Sequence, residues 1–169
     1  MIAPLRMDES ARGDENSPML EIRAATAATD MMLVRELFRE YVAEANAPAC
    51  FTSFEDELRA LPGDYAAPQG RIFVAGPGGG CVALRRLDAG TAEIKRLYVR
   101  AAHHGTGLGR ALALAAIAAA RETQARRVVL DTLPSMSAAQ LLYRSLGFRE
   151  TAPYLAIPTP GALCFELPF

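Results

Sequence analysis

Apolar and polar residues alternate along Leu20-Glu21-Ile22-Arg23-Ala24, the period of a half-buried strand. Past Thr29 the period changes. Leu33/Val34, Leu37/Phe38 and Tyr41/Val42 recur every four residues, with Arg35, Glu36, Arg39 and Glu40 between them. This spacing predicts an amphipathic helix, with Thr29 as candidate N-cap and an end near Asn46-Ala47-Pro48. Thr52 and Glu55 are spaced as a capping box for a short second helix through Leu58, stopped by Pro62-Gly63. Three strands follow at Arg71–Ala75, Cys81–Arg86 and Ala92–Val99. Gly76-Pro77-Gly78-Gly79-Gly80 and Asp88-Ala89-Gly90 separate them, so they form an antiparallel meander. An Ala- and Leu-rich helix runs from Gly107 to near Thr123, and a β-branched strand from Arg127 to Asp131. Ser137 with Gln140 marks a second capping box, opening a helix to Leu146 with Gly147 as its stop. Strands around Phe148–Tyr154 and Ala162–Leu167 close the pattern.

The order β-α-α-β-β-β-α-β-α-β-β predicts an α+β (mixed α/β) fold. Its sheet should have about six to seven strands, first an antiparallel meander and then a parallel crossover pair, flanked by about four helices. Residues 1–18 are polar, with Pro4, Gly13 and Pro18, and read as a flexible N-terminal tail. Residues 19–169 read as one domain.

Composition narrows the function classes. Of 169 residues, 51% are hydrophobic and 22% charged, which excludes general disorder. Lys and Arg total 18 and Asp and Glu 19, a net charge of −1 that argues against a nucleic-acid partner. The three cysteines, Cys50, Cys81 and Cys164, are odd in number and widely spaced, as in a reduced cytoplasmic protein. They read as small core or strand residues. Arg6, Asp8 and Glu9 break the first apolar stretch, against a signal peptide. The longest apolar run, Ala111–Ala120, is too short for the ~20 residues of a membrane span, so no membrane partner is expected. Oligomeric state is not legible, and a homodimer stays open.

The informative segment is Glu93 to Arg110. A strand ends at Val99, a helix begins near Gly107, and glycines at 105, 107 and 109 let the backbone approach a ligand. The first amides of a helix lack intrahelical partners and favour negative charge, so this loop is suited to phosphate. No acidic residue lies between Glu93 and Glu122, whereas Lys95, Arg96, Arg100, Arg110 and Arg121 do, which predicts a basic patch at the loop. A P-loop is excluded by spacing. A dinucleotide site remains a rival, with Asp131 where a ribose-binding acid belongs, but the glycines are spaced G-x-G-x-G and begin five residues past Val99. The adjacent His103 and His104 have no accompanying ligand set, so no metal site is expected.

His104-Gly105-Thr106-Gly107-Leu108-Gly109 resembles the pyrophosphate motif [RQ]-x-x-G-x-[GA] of the GNAT superfamily, the acyl-CoA-dependent N-acetyltransferases. Ala139 with Leu142-Tyr143-Arg144-Ser145-Leu146-Gly147-Phe148 resembles its second signature, A-x-x-L-Y-x-x-x-G-F. The element order is similar from about residue 19 to the end. Two departures stand out: His104 replaces the usual Arg or Gln, and Met136 replaces an Asn common in the family.

The resemblance implies acetyl transfer from acetyl-CoA to a primary amine of a small molecule or peptide. It places the donor on Leu97, Tyr98, Val99, His104, Gly105, Thr106, Gly107, Leu108, Gly109, Arg110 and Tyr143. The Val99 amide would hold the oxyanion and Tyr143 would donate to the leaving sulfur. Strand alternation puts Glu93, Lys95, Leu97 and Val99 on one face, and two readings of Glu93 stand. It is a general base, acting directly or through water, or an ion-pair partner of Lys95 or Arg96. Candidate acceptor contacts are Phe51, Phe54, Tyr65 and Tyr154, with acids at Glu55, Asp56, Glu57 and Asp64. A non-catalytic acyl-CoA-binding module and a dinucleotide-dependent oxidoreductase are the alternatives.

Overall fold

The structure is a computed structural model, and it describes residues 20–45 and 53–169. The expected tail, the end of the first helix at Asn46-Ala47-Pro48, Cys50, Phe51 and the Thr52 cap lie outside the described residues. The elements follow the expected order: β1 (Ile22–Ala24), α1 (Ala28–Ala45), α2 (Phe54–Ala60), β2 (Arg71–Ala75), β3 (Gly80–Arg86), β4 (Thr91–Val99), α3 (Leu108–Glu122), β5 (Arg127–Thr132), α4 (Ser137–Ser145), β6 (Arg149–Thr151) and β7 (Leu163–Pro168). The seven strands form one sheet in the order β1-β2-β3-β4-β5-β7-β6. β7 inserts between β5 and β6, antiparallel to both.

Alternation sends side chains to two cores, one on each face of the sheet. On one face Leu112, Ala116 and Ile117 of α3 pack on Val82, Leu84, Ile94, Val128 and Leu130. The small alanines let α3 lie close to the strands. On the other face Val34, Leu37 and Phe38 of α1 and Leu58 of α2 cover Ile72, Val74, Cys81 and Ala83.

The two expected caps on described residues, Thr29 and Ser137, differ from the structure. Thr29 lies inside the first turn of α1, and Asp30 takes the capping role. Its carboxylate accepts from the Thr26 and Ala27 amides, both at 2.9 Å, and from Arg23 on β1 at 2.6 Å. Arg23, then those amides, hold the Asp30 carboxyl well below the usual carboxylate range. At α4, Met136 is the N-cap and Ser137 the first helical residue, with no side-chain cap bond. The preceding turn presents carbonyls rather than amides, so Gln140 donates its amide to Leu133 O and Pro134 O at 3.1 and 3.2 Å. The C-terminal stop is as expected. Gly147 takes φ +92°, the Phe148 amide bonds Tyr143 O at 3.0 Å, and the two rings meet 5.7 Å apart.

Two irregularities in β4 create the site. The β3–β4 register passes from Cys81↔Tyr98 to Ala83↔Lys95, so β4 carries one extra residue, with Arg96 at φ +56°. A bulge flips the alternation beyond it. The expected common face of Glu93, Lys95, Leu97 and Val99 is therefore broken. Leu97 and Val99 join the α3 core, whereas Glu93 pairs with Arg85 on the opposite face. Second, β4 and β5 pair in parallel only at Thr91↔Arg127, Ala92↔Val128 and Glu93↔Val129. Beyond Glu93 the strands part, and a gap opens in the sheet.

Candidate active site

A groove of about 650 Å³ runs along one side of this gap, between the glycine loop, the end of β4 and the start of α4. Of the residues expected to hold the donor, 97–99, 104–105 and 107–110 line it, and Thr106 and Tyr143 do not. The Thr106 hydroxyl turns back to His103 O at 2.7 Å. Gly107 has φ +83°, and a Cβ there would meet nothing within 4 Å, so bare backbone faces open space. The first intrahelical bond of α3 is Ala111 N to Gly107 O at 3.0 Å. The amides of Leu108, Gly109 and Arg110 therefore precede the helical ladder, at its positive end.

His104 departs from the motif in a way the structure explains. Its Nε2 lies 2.7 Å from the Val99 carbonyl, which can only accept, so Nε2 carries the proton. The same bond holds the Val99 carbonyl towards the loop. Arg100 N bonds Gly79 O across the β3–β4 pair at 3.0 Å. In an antiparallel ladder the intervening residue points its amide and carbonyl the other way. The Val99 amide is thus directed into the gap between β4 and β5.

A smaller cavity of about 130 Å³ lies within the gap. Tyr41, Ala45, Leu97, Met136 and Ala139 line both it and the groove, so the two adjoin along this shared wall. Tyr143 lines the inner cavity, with its ring buried against Phe148 and Phe165. Among the described residues its hydroxyl has no hydrogen-bond partner. Burial pushes the phenol pKa well up, keeping it protonated. Tyr41, Lys95, Arg96, Asp131, Thr132 and Thr159 complete the polar lining.

Glu93, two residues before the cavity-lining Lys95 on β4, is fully buried. Arg85 Nε donates to Oε2 at 2.5 Å, Tyr154 donates to Oε1 at 2.8 Å, and Lys95 Nζ lies 3.7 Å from Oε1. Burial, and then the Glu93 charge, push the Tyr154 phenol pKa far up.

Residues 32–148 match the Acetyltransferase (GNAT) family. The chain belongs to the GNAT family. It is 33% identical over 153 residues to an uncharacterized N-acetyltransferase of Schizosaccharomyces pombe, covering 88% of this chain and 94% of that one. Among solved structures, an acetyltransferase from Streptococcus agalactiae superposes with a TM-score of 0.74 at 20% identity, covering 90% of this chain and 99% of that one. PaiA N-acetyltransferase from Thermoplasma acidophilum, solved in complex with coenzyme A, gives a TM-score of 0.71 at 16% identity, with 89% and 99% covered. This GNAT protein is accordingly an acyltransferase, and its mixed sheet rules out the doubly wound dinucleotide fold.

The GNAT site differs from the sequence-based expectation in its charges. The expected basic patch is dispersed, because neighbouring strand residues point to different faces. Arg100 is paired to Glu36 and Glu40 of α1. Arg96 is bound to Glu57 at 2.5 Å, beneath the rings of Phe38, Tyr41 and Phe54. Arg121 lies over Phe169. Of that set only Arg110 lines the groove, and it donates to Ser145 at 3.0 Å.

Several expected acceptor contacts serve the core instead. Phe54 and Tyr65 are buried, and Glu57 accepts from Tyr65 as well as Arg96. Cys81 and Cys164 are buried free thiols, with Cys81 raised by burial. Asp131, Thr132 and Lys95 escaped notice as a set, because only the strand register brings them together. Among the described residues no helix is long and apolar enough to cross a membrane.

Proposed function

We propose that this enzyme transfers the acetyl group of acetyl-CoA to a primary amine by direct attack, with both substrates bound at once. The adjoining of groove and cavity at the β4–β5 gap supports this reading, since a donor in the groove and an acceptor in the cavity would approach each other there. The amides at the start of α3 take the donor's pyrophosphate. As the amine nitrogen bonds the acetyl carbon, the Val99 amide stabilises the oxyanion. The carbon–sulfur bond then breaks as Tyr143 passes its proton to the thiolate; the surplus proton on the new amide nitrogen leaves to solvent, from which the Tyr143 phenolate is reprotonated.

The amine must also lose a proton. We assign this to Glu93, reached through the Tyr154 hydroxyl, because Arg85 and Tyr154 already occupy both carboxylate oxygens. Tyr154 gives its proton to Glu93 as it takes one from the amine, so charge balances without exposing the carboxylate.

The test is release of free CoA from acetyl-CoA in the presence of an amine panel, with the product identified by mass. Acetylation of an amine nitrogen is expected. Acetyl-CoA binding without turnover on any amine would instead support an acyl-CoA-binding module.

A further inference from the structure

The last parallel pair of β4 and β5 is Glu93↔Val129. Two residues further along each strand stand Lys95 and Asp131, on the face that Glu93 occupies. In a closed sheet they would sit opposite each other and form an ion pair. Because the strands part, they form none, and both line the 130 Å³ cavity that opens between them. Asp131 accepts only from the Thr159 hydroxyl, at 2.9 Å, among the described residues. Among the described residues Lys95 has a single loose ion-pair contact, 3.7 Å from Glu93, whose nearer partners are Arg85 and Tyr154.

An independent feature points to a ligand here. Thr132 is only 6% exposed and lines the same cavity, and its Oγ1 is the one buried side-chain polar atom without a partner among the described residues. A buried hydroxyl left unpaired costs free energy. A polar ligand between the strands would satisfy it.

From the opposed charges we infer that the acceptor is a free α-amino acid or a close zwitterionic relative, its ammonium on Asp131 and its carboxylate on Lys95. Arg96, the other nearby cation, is committed to Glu57 and does not compete for that carboxylate. The cavity is small enough to take the amino-acid core and little more, with the side chain directed outward. A polyamine would place extra positive charge near Lys95, and an internal lysine of a peptide lacks the carboxylate. The inference rests on amine acetylation as proposed above and adds the acceptor class.

The experiment follows CoA release with the twenty amino acids, their methyl esters, spermidine and a lysine peptide capped at both ends. At least one free amino acid should be used with kcat/KM about tenfold or more above its ester. Asp131→Asn should raise KM roughly tenfold or more for acid and ester alike, whereas Lys95→Met should close the gap between them. Acetyl-CoA affinity, measured by calorimetry, checks that each variant is folded. Esters used as well as acids, preference for spermidine or the capped peptide, or an unchanged KM in Asp131→Asn would overturn the inference while leaving amine transfer intact. Turnover on none of these amines, with acetyl-CoA still bound, would overturn amine transfer and the acceptor class together.

Discussion

His104 donates its Nε2–H to the carbonyl of Val99 at 2.7 Å, tying the glycine loop back to the last residue of β4. The motif position that usually carries Arg or Gln is thus used within the chain, to fix the loop against the end of β4. His104→Ala should raise KM for acetyl-CoA several-fold through a looser loop, with kcat changing less. Steady-state kinetics in acetyl-CoA check this, and an equal loss in kcat alone would contradict it.

Gly107 sits at φ +83° with open space where a Cβ would project. Gly107→Asp and Gly107→Asn impose similar backbone cost, since both residues tolerate the left-handed region. Only Asp adds negative charge beside the expected pyrophosphate. Calorimetry should show acetyl-CoA affinity falling at least about tenfold further in Asp than in Asn. Equal affinities would place the pyrophosphate elsewhere.

Tyr143→Phe removes one hydroxyl and keeps the ring against Phe148 and Phe165. Since that hydroxyl has no partner among the described residues, stability should change by no more than ~1 kcal/mol. Turnover should drop by roughly 10²–10⁴-fold. Wild-type kcat in the folded variant would reduce Tyr143 to a packing residue.

The β2–β3–β4 meander was legible to within a residue, because alternation and Gly-rich turns are local signals. So was the Gly147 stop, where a positive φ is needed. The bulge at Arg96 was not. One extra residue leaves no mark in a run where charged side chains occupy both faces. The place of β7 between β5 and β6 depends on the route of a Pro-rich connection, which carries no pairing signal. The loop's arginines misled for a related reason, because nearness in sequence does not say whether a side chain faces the groove or α1. The pairing of Lys95 with Asp131 needs the β4–β5 register, a long-range fact.

Glu57 and Arg96 form a nearly buried ion pair beneath three aromatic rings. Burial works to raise the Glu57 pKa, but Arg96 outweighs it and holds the carboxyl below its ordinary value. Glu57→Gln leaves a buried guanidinium without a countercharge and should cost about 3–5 kcal/mol, measured by denaturant unfolding. Because the folded pKa is depressed, the pair's contribution is complete above the unfolded value of ~4.3 and is lost as pH falls through the folded one. The wild-type and Glu57→Gln stabilities should therefore converge in acid. A difference unchanged down to the lowest pH would mean that packing, not charge, holds Arg96.

The Glu93 assignment is decided by pH–rate profiles. Glu93→Gln should lower kcat/KM mainly below the pKa of the acceptor amine, with a deficit that shrinks as free amine appears unaided. Tyr154→Phe should show the same shape if it relays the proton. A uniform loss would make Glu93 a positioning residue, and no loss would leave it an ion-pair partner of Arg85 and Lys95.

The central claim is that donor and acceptor meet in the β4–β5 gap while both are bound. Initial rates measured across a grid of acetyl-CoA and amine concentrations test it most directly. Double-reciprocal lines that intersect, with no acetylated enzyme found by mass after acetyl-CoA alone, are the expected result. Parallel lines together with a covalent acetyl-enzyme would contradict direct attack.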